Sequence, residues 1–168
     1  DIKGASVGKA KSFFGKLEEN KFSFLQQKDI PISPTVEEAL SDLISSNGVV
    51  DTPDRKGFKS GLYKIPTSKY QYFVRERTKQ LLFPNSHSFA KQTIPVIDRL
   101  KYILSVTTEC KDIGKAMKSM LGITTQVLIP LKPHEQSPTV TSHPDDMIHY
   151  CEPRILTCLL YTSPSPRD

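Results

Sequence analysis

Basic and aromatic side chains alternate through residues 55–101, and this is where the residue types best suit a chemical task. The segment holds eleven Lys and Arg residues against two acidic ones. Lys and Arg contact phosphates and release counterions when they bind, and exposed aromatic rings can stack on unpaired bases. The pattern therefore predicts a non-enzymatic nucleic-acid-binding surface that recognises RNA or DNA.

The predicted surface uses the basic residues before Pro84 and two of the tyrosines between them. Its members are Arg55, Lys56, Lys59, Lys64, Lys69, Tyr70, Tyr72, Arg75, Arg77 and Lys79. We expect Arg75, Arg77 and Lys79 to be the leading phosphate contacts, because they lie close together on a predicted helix. Tyr70 or Tyr72 would offer a stacking platform.

An acidic block directly precedes the basic segment and supports an alternative function. Residues 31–54 contain five acidic residues and no Lys or Arg. The basic segment could pair with this block, or with an acidic partner protein, in an interaction or structural module. No signature of a helix-turn-helix, a zinc finger or an RNA-recognition motif accompanies the basic segment to decide between the two functions.

Residues that could serve catalysis or bind a metal do not form a recognisable pattern. His134, His143, His149 and Cys151 are separated by nine, six and two positions, which matches no standard ligand spacing. No Gly-x-Ser-x-Gly elbow surrounds a serine. We therefore expect no catalytic residues, no metal and no cofactor, and the sequence favours a protein that is not an enzyme.

Length and composition limit the class of protein. The chain has 168 residues, a net charge of +5, 37% hydrophobic residues and three cysteines. No apolar run approaches the ~20 residues that span a bilayer, and so few cysteines argue against a disulfide scaffold and for an intracellular location. Because residue 1 is Asp and no secretory signal follows, we expect a fragment of a larger protein.

The elements that would position the basic segment are mainly α-helical. We expect a small bundle of about five helices in a domain over residues 31–131, with a possible short strand or hairpin. An acidic helix is predicted over 34–47, a basic loop and helix over 55–83, and helices over 95–121 that break near Val106–Thr108. Thr35 and Glu38 have the spacing of a capping box.

Both ends of the chain differ from this domain. Residues 1–30 predict a basic amphipathic helix, with Val7, Ala10, Phe14, Leu17 and Phe24 at heptad-like spacing. That helix could dock on its own domain or lie on a membrane surface. Residues 132–157 are rich in proline and predict a mobile, disordered tail. Residues 158–168 resemble a translated sequencing adapter, and we expect them not to be biological.

Overall fold

A computed structural model describes residues 7–52, 55–76, 83–84, 87–139 and 146–157. In chain order, its elements are helix α1 (Val7–Gln27), helix α2 (Val36–Leu40), 3-10 turns at Ser41–Leu43 and Ser45–Asn47, strands β1 (Val49–Asp51) and β2 (Lys59–Gly61), helices α3 (Lys69–Val74), α4 (Ile94–Val106) and α5 (Gly114–Met120), and strands β3 (Ile129–Pro130) and β4 (Met147–Ile148). The described part of the chain is thus mainly helical, with two small two-stranded sheets. Packing of the helices as a bundle stays a prediction.

The predicted capping box starts α2, but the helix is shorter than expected. Thr35 Oγ1 accepts a hydrogen bond from the Glu38 amide at 3.2 Å, and the Glu38 carboxylate accepts one from the Thr35 amide at 2.8 Å. The α-helix ends at Leu40, and Ile44 is extended. The prediction of one helix to residue 47 is therefore wrong, because Asp42 and the Leu43 carbonyl turn inward to contact Arg75 and His87.

Helix α3 is capped by Ser68 and anchored by a buried glutamine. Gln71 is fully buried, and its Oε1 accepts hydrogen bonds from the amides of Thr67 and Ser68 at 2.8 and 3.3 Å. Its Nε2 donates to Ser41 Oγ at 2.9 Å, which ties α3 to the end of α2. The helix predicted in 55–83 is confirmed over Lys69–Val74, and residues 77–82 lie outside the described ranges.

The possible hairpin is confirmed as the antiparallel pair β1–β2. Val49 pairs with Gly61, and Asp51 pairs with Lys59. A side chain at Gly61 would place its Cβ 3.0 Å from the Phe89 ring and 3.4 Å from His87 Nε2. This position therefore favours glycine, because the segment after His87 packs directly against β2.

The predicted break after Val106 separates α4 from α5. Asp112 lies in this break and connects α5 to the segment before β3. Its carboxylate accepts hydrogen bonds from the Leu128 amide at 2.7 Å and from Lys118 Nζ at 2.8 Å. Burial acts to raise the pKa of Asp112, but these bonds and one from the Gly114 amide outweigh it and lower the pKa. Gly122, with φ of +63°, follows the end of α5.

The hydrophobic core has two clusters, and the C-terminal segment contributes to both. One contains Val36, Leu43, Leu131, Met147 and Leu156, and the other Leu100, Ile103, Leu128 and Ile148. Strand β4 pairs in parallel with β3. The prediction of a mobile tail is wrong for residues 146–157. Burial of Met147, Ile148 and Leu156 contributes enough free energy to offset the loss of conformational entropy when the segment becomes ordered.

Helix α1 is confirmed, but most of it does not dock on the domain. From residue 10 to residue 24 every side chain is exposed. Contact with the domain is made at the C-terminal end, where the ring centroids of Phe24 and Phe73 lie 6.4 Å apart. Within the ranges that the structure covers, no helix combines the length and apolar character required to cross a membrane.

Candidate nucleic-acid interface

The turn between β1 and β2 gathers cations around one phenylalanine. The Arg55 guanidinium carbon lies 4.0 Å from the centroid of the Phe58 ring, and Lys91 Nζ lies 4.8 Å from it. Lys56 is exposed on the same turn. We name Arg55, Lys56, Phe58 and Lys91 the hairpin cluster.

Backbone hydrogen bonds fix the geometry of the hairpin cluster. The Phe58 amide donates to the Arg55 carbonyl at 3.1 Å, and the Thr52 amide donates to the Phe58 carbonyl at 3.0 Å. The Phe89 amide donates to the Lys59 carbonyl at 2.8 Å, which holds the segment leading to Lys91 beside β2. Two distant parts of the sequence therefore place their cations at one site.

The hairpin cluster is positively charged and accessible. Arg55, Lys56 and Lys91 are all exposed, and Phe58 is half-buried. Among the described residues, no carboxylate forms an ion pair with these three cations. Because the ring of Phe58 is in contact with two cations, its role is to hold them, by cation–π attraction, rather than to stack on a base.

Lys59 and Lys69 form ion pairs on the surface. Lys59 Nζ lies 2.7 Å from Asp51 Oδ1, and Lys69 pairs with Asp29. All four side chains are more than half exposed. Such pairs are screened by solvent and contribute little to stability, so the pair of Lys59 with Asp51 can open at little cost.

Arg75 points into the protein. Its Nη1 lies 3.0 Å from Asp42 Oδ2, and the two side chains are 13% and 3% exposed. The guanidinium also stacks on the Tyr63 ring at 3.7 Å and donates to the Lys64 carbonyl at 2.6 Å. Burial raises the pKa of Asp42, although Arg75 acts in the opposite direction. We therefore leave Arg75 out of the candidate interface, since its charge is compensated internally.

Lys64 and Lys69 lie in a groove with acidic walls. The groove has a volume of about 770 Å³, and its charged lining residues are Asp29, Glu37, Glu38, Asp42, Lys64 and Lys69. Acidic side chains outnumber the basic ones there, so the local potential disfavours a phosphate backbone. Lys64 and Lys69 thus differ from the hairpin cluster in having acidic side chains around them.

Of the remaining predicted residues, two lie on α3 and two lie outside the described part of the chain. Tyr72 is exposed on α3, whereas Tyr70 is half-buried. Arg77 and Lys79 lie outside the described residues. Lys91 was missed as a site residue, although it belongs to the basic segment 55–101. Nothing in the spacing of the basic residues indicates that Lys91 would lie beside Phe58.

A second polar cluster, around His149, is buried and holds the C-terminal segment in place. Arg154 Nε donates to Glu152 Oε2 at 2.7 Å, and Glu152 Oε1 accepts from the Ser45 amide at 2.6 Å. His87 Nδ1 lies 2.6 Å from Thr157 Oγ1. Burial and the charge of Arg154 lower the pKa of His87 to about 4.

Cys151 lies next to the buried His149 ring, with 3.7 Å between Sγ and Nδ1. Burial raises the pKa of the Cys151 thiol, and burial and Arg154 lower the pKa of His149 well below its ordinary value. Both groups are therefore neutral near pH 7, whereas thiol nucleophiles require a thiolate. No group of three His, Cys, Asp or Glu residues within the described ranges is placed to hold a metal ion.

The exposed cations of the β1–β2 turn thus remain the best candidate for a binding surface in the described residues. They combine positive charge and accessibility, while the other clusters are buried or acidic. Comparisons of the chain with protein-family models, with curated proteins and with solved structures found no match.

Proposed function

We propose that this chain binds nucleic acid through the hairpin cluster, in a non-enzymatic role. The observation that carries the proposal is the convergence of Arg55 and Lys91 on the Phe58 ring, at 4.0 and 4.8 Å. These residues come from separate parts of the chain and meet on an exposed turn. A compact group of exposed cations is suited to the closely spaced phosphates of a nucleic-acid strand.

The chemistry of the individual side chains fits this role. A guanidinium that lies over a ring keeps its N–H edges available, and these can donate two parallel hydrogen bonds to one phosphate. Lys56 and Lys91 supply compact charges without a fixed hydrogen-bonding geometry. The surface would therefore bind the backbone with little preference for sequence, and the exposed pair of Lys59 with Asp51 could open to add a fourth cation.

An acidic protein partner is the second candidate function. Among the described residues, four cations of the basic segment pair with carboxylates of this same chain, in the ion pairs Lys59–Asp51, Lys69–Asp29, Arg75–Asp42 and Lys101–Asp98. The segment is thus able to recognise carboxylates as well as phosphates. An acidic peptide would use the same hairpin cluster, so the experiment must compare the two ligands directly.

The test measures the fluorescence anisotropy of labelled single-stranded and duplex oligonucleotides titrated with the full chain. Three phosphate contacts give a slope of about −2 for log K against log salt on a single strand, which is roughly a 20-fold loss of affinity between 50 and 200 mM salt. Labelled polyglutamate of matched length serves as the competing ligand.

A charge-matched pair of triple variants makes the test specific. Changing Arg55, Lys56 and Lys91 to Ala is expected to remove most of the salt dependence. Changing Lys101, Lys111 and Lys115 to Ala removes the same charge from exposed positions on and beside α4 and α5 and should have a much smaller effect. Equal losses in the two variants, or tighter binding to polyglutamate, would overturn nucleic-acid binding at this site.

A further inference from the structure

Helix α1 leaves a set of large apolar side chains in solvent. Phe13, Phe14 and Leu17 are 59%, 63% and 52% exposed, and Phe24 is 47% exposed. The rings of Phe13 and Phe14 contact each other, with their centroids 5.7 Å apart. In the described part of the chain, no element covers these side chains from residue 13 to residue 17. A cluster of exposed aromatic residues of this kind marks an interaction surface.

These side chains share one face of the helix. At about 100° per residue, Ala10, Phe13, Phe14, Leu17 and Phe24 fall within an arc of about 100°. Lys11 and Lys16 lie beyond the two borders of the arc, and Glu19 lies on the opposite side. Glu18 lies between Lys11 and the arc, and Phe22 lies outside the arc beyond Lys11.

The position of Lys21 indicates what covers this face. Lys21 falls inside the apolar arc and is exposed. In an apolar protein interface its ammonium group would lose water, which is unfavourable unless the partner supplies a carboxylate at that point. At a lipid surface the apolar stem can lie along the acyl chains while the ammonium group extends to the headgroup phosphates. The lysines at the two borders can reach the headgroups in the same way.

We propose that α1 binds the surface of an anionic lipid bilayer. The helix would lie in the plane of the interface, with Phe13, Phe14 and Leu17 below the headgroups and Glu19 facing water, while Phe24 keeps its contact with Phe73 of the domain. Lys11, Lys16 and Lys21 would contact lipid phosphates. This interaction is separate from the hairpin cluster, since it uses a different element and different residues.

The test is co-sedimentation of the full chain with vesicles of phosphatidylcholine that contain 30% phosphatidylserine, compared with phosphatidylcholine alone. We expect binding to the anionic vesicles that is at least several-fold stronger. Phe13→Ser should weaken this binding about tenfold, because the side chain lies in the arc. Phe22→Ser, an equally exposed phenylalanine outside the arc, should change it by less than about twofold.

Two further variants separate lipid binding by α1 from lipid binding by the hairpin cluster. Lys21→Glu should weaken binding to anionic vesicles and Phe13→Ser should do so as well, whereas the triple alanine variant of Arg55, Lys56 and Lys91 should keep the difference between Phe13→Ser and Phe22→Ser. Equal effects of Phe13→Ser and Phe22→Ser would overturn the proposal, as would absence of binding by the unmodified chain. If analytical ultracentrifugation shows self-association that Phe13→Ser abolishes and no vesicle binding, the face belongs to a second copy of the chain.

Discussion

Helix α1 and the segment of residues 146–157 use their apolar residues in opposite ways. The helix is 21 residues long and carries a regular apolar face, yet its large side chains are exposed through most of its length. The C-terminal segment has little regular structure, yet Met147, Ile148 and Leu156 are buried in the two core clusters. Regular spacing of apolar residues therefore predicts a helix, but it does not predict what that helix packs against.

The reason for the difference is long-range contact. Residues 146–157 are held in position by contacts with β3, Ser45 and His87, none of which is close to them in sequence. Helix α1 forms from local hydrogen bonds and requires no such contacts along its exposed length. The comparison can be tested by perturbing matched residues in the two regions and measuring the free energy of unfolding.

The largest expected effect comes from removing the carboxylate of Glu152, whose side chain is 13% exposed. Glu152→Ala leaves the Arg154 guanidinium, which is only 9% exposed, without its partner, and it also removes the acceptor of the Ser45 amide. Loss of one member of a buried ion pair destabilises by about 4 kcal/mol. Urea unfolding followed by circular dichroism measures the change. Glu19→Ala on α1 is the control and should change stability by less than about 0.5 kcal/mol.

Truncation of a core residue in the same segment should have the next largest effect. Ile148 is fully buried beside Leu100, Ile103 and Leu128, so Ile148→Ala should destabilise by about 3 kcal/mol through lost burial and the cavity left behind. Leu17→Ala removes a similar side chain from the exposed face of α1 and should cost well under 1 kcal/mol. Equal losses in these two variants would show that the exposed face of α1 is covered in the folded protein.

Much of the local structure was predictable from the sequence. The capping box at Thr35 and Glu38 and the break after Val106 follow from short-range rules, whereas the hairpin begins earlier than expected, because strand β1 (Val49–Asp51) precedes the basic segment. The early end of α2 was not predictable in this way, because Asp42 is drawn to Arg75, 33 positions away.

In the candidate site, too, the features that depend on local sequence were predictable and those that depend on long-range contacts were not. The sequence correctly located an exposed basic turn at Arg55 and Lys56, since charge and glycine content are local properties. It did not show that Arg75 would be compensated by Asp42 or that Lys91 would reach Phe58. Those outcomes depend on the pairing of β1 with β2 and on the packing of α3 against α2.

Acid should weaken the C-terminal segment before it affects α1. The pKa of His87 is about 4 in the folded protein, below the ordinary value of about 6.5. The unfolded chain therefore binds the proton more readily, so stability is complete above about pH 6.5 and falls as the pH decreases toward 4. For His87 alone the loss is about 2 kcal/mol at pH 5. His149 adds to the loss, because its pKa is lowered as well.

Urea midpoints at pH 7 and pH 5 measure this loss, and His87→Gln identifies its source. The variant can keep hydrogen bonds to Thr157 and to the Leu43 carbonyl but cannot take up a proton, so its stability should depend less on pH. His134→Gln, at an exposed position, should retain the full pH dependence. A pH dependence that is identical in the two variants would show that His87 does not titrate between these conditions.

The smallest expected effect on stability is at the exposed face of α1. Phe13→Ala should change the free energy of unfolding by less than about 0.5 kcal/mol, because the side chain is 59% exposed. Phe24→Ala should cost up to about 1 kcal/mol more, because its ring meets Phe73 of α3. Thermal unfolding of the two variants at equal concentration makes the comparison. A larger loss at Phe13 than at Phe24 would mean that the N-terminal half of the helix, and not its C-terminal end, is what packs against the domain.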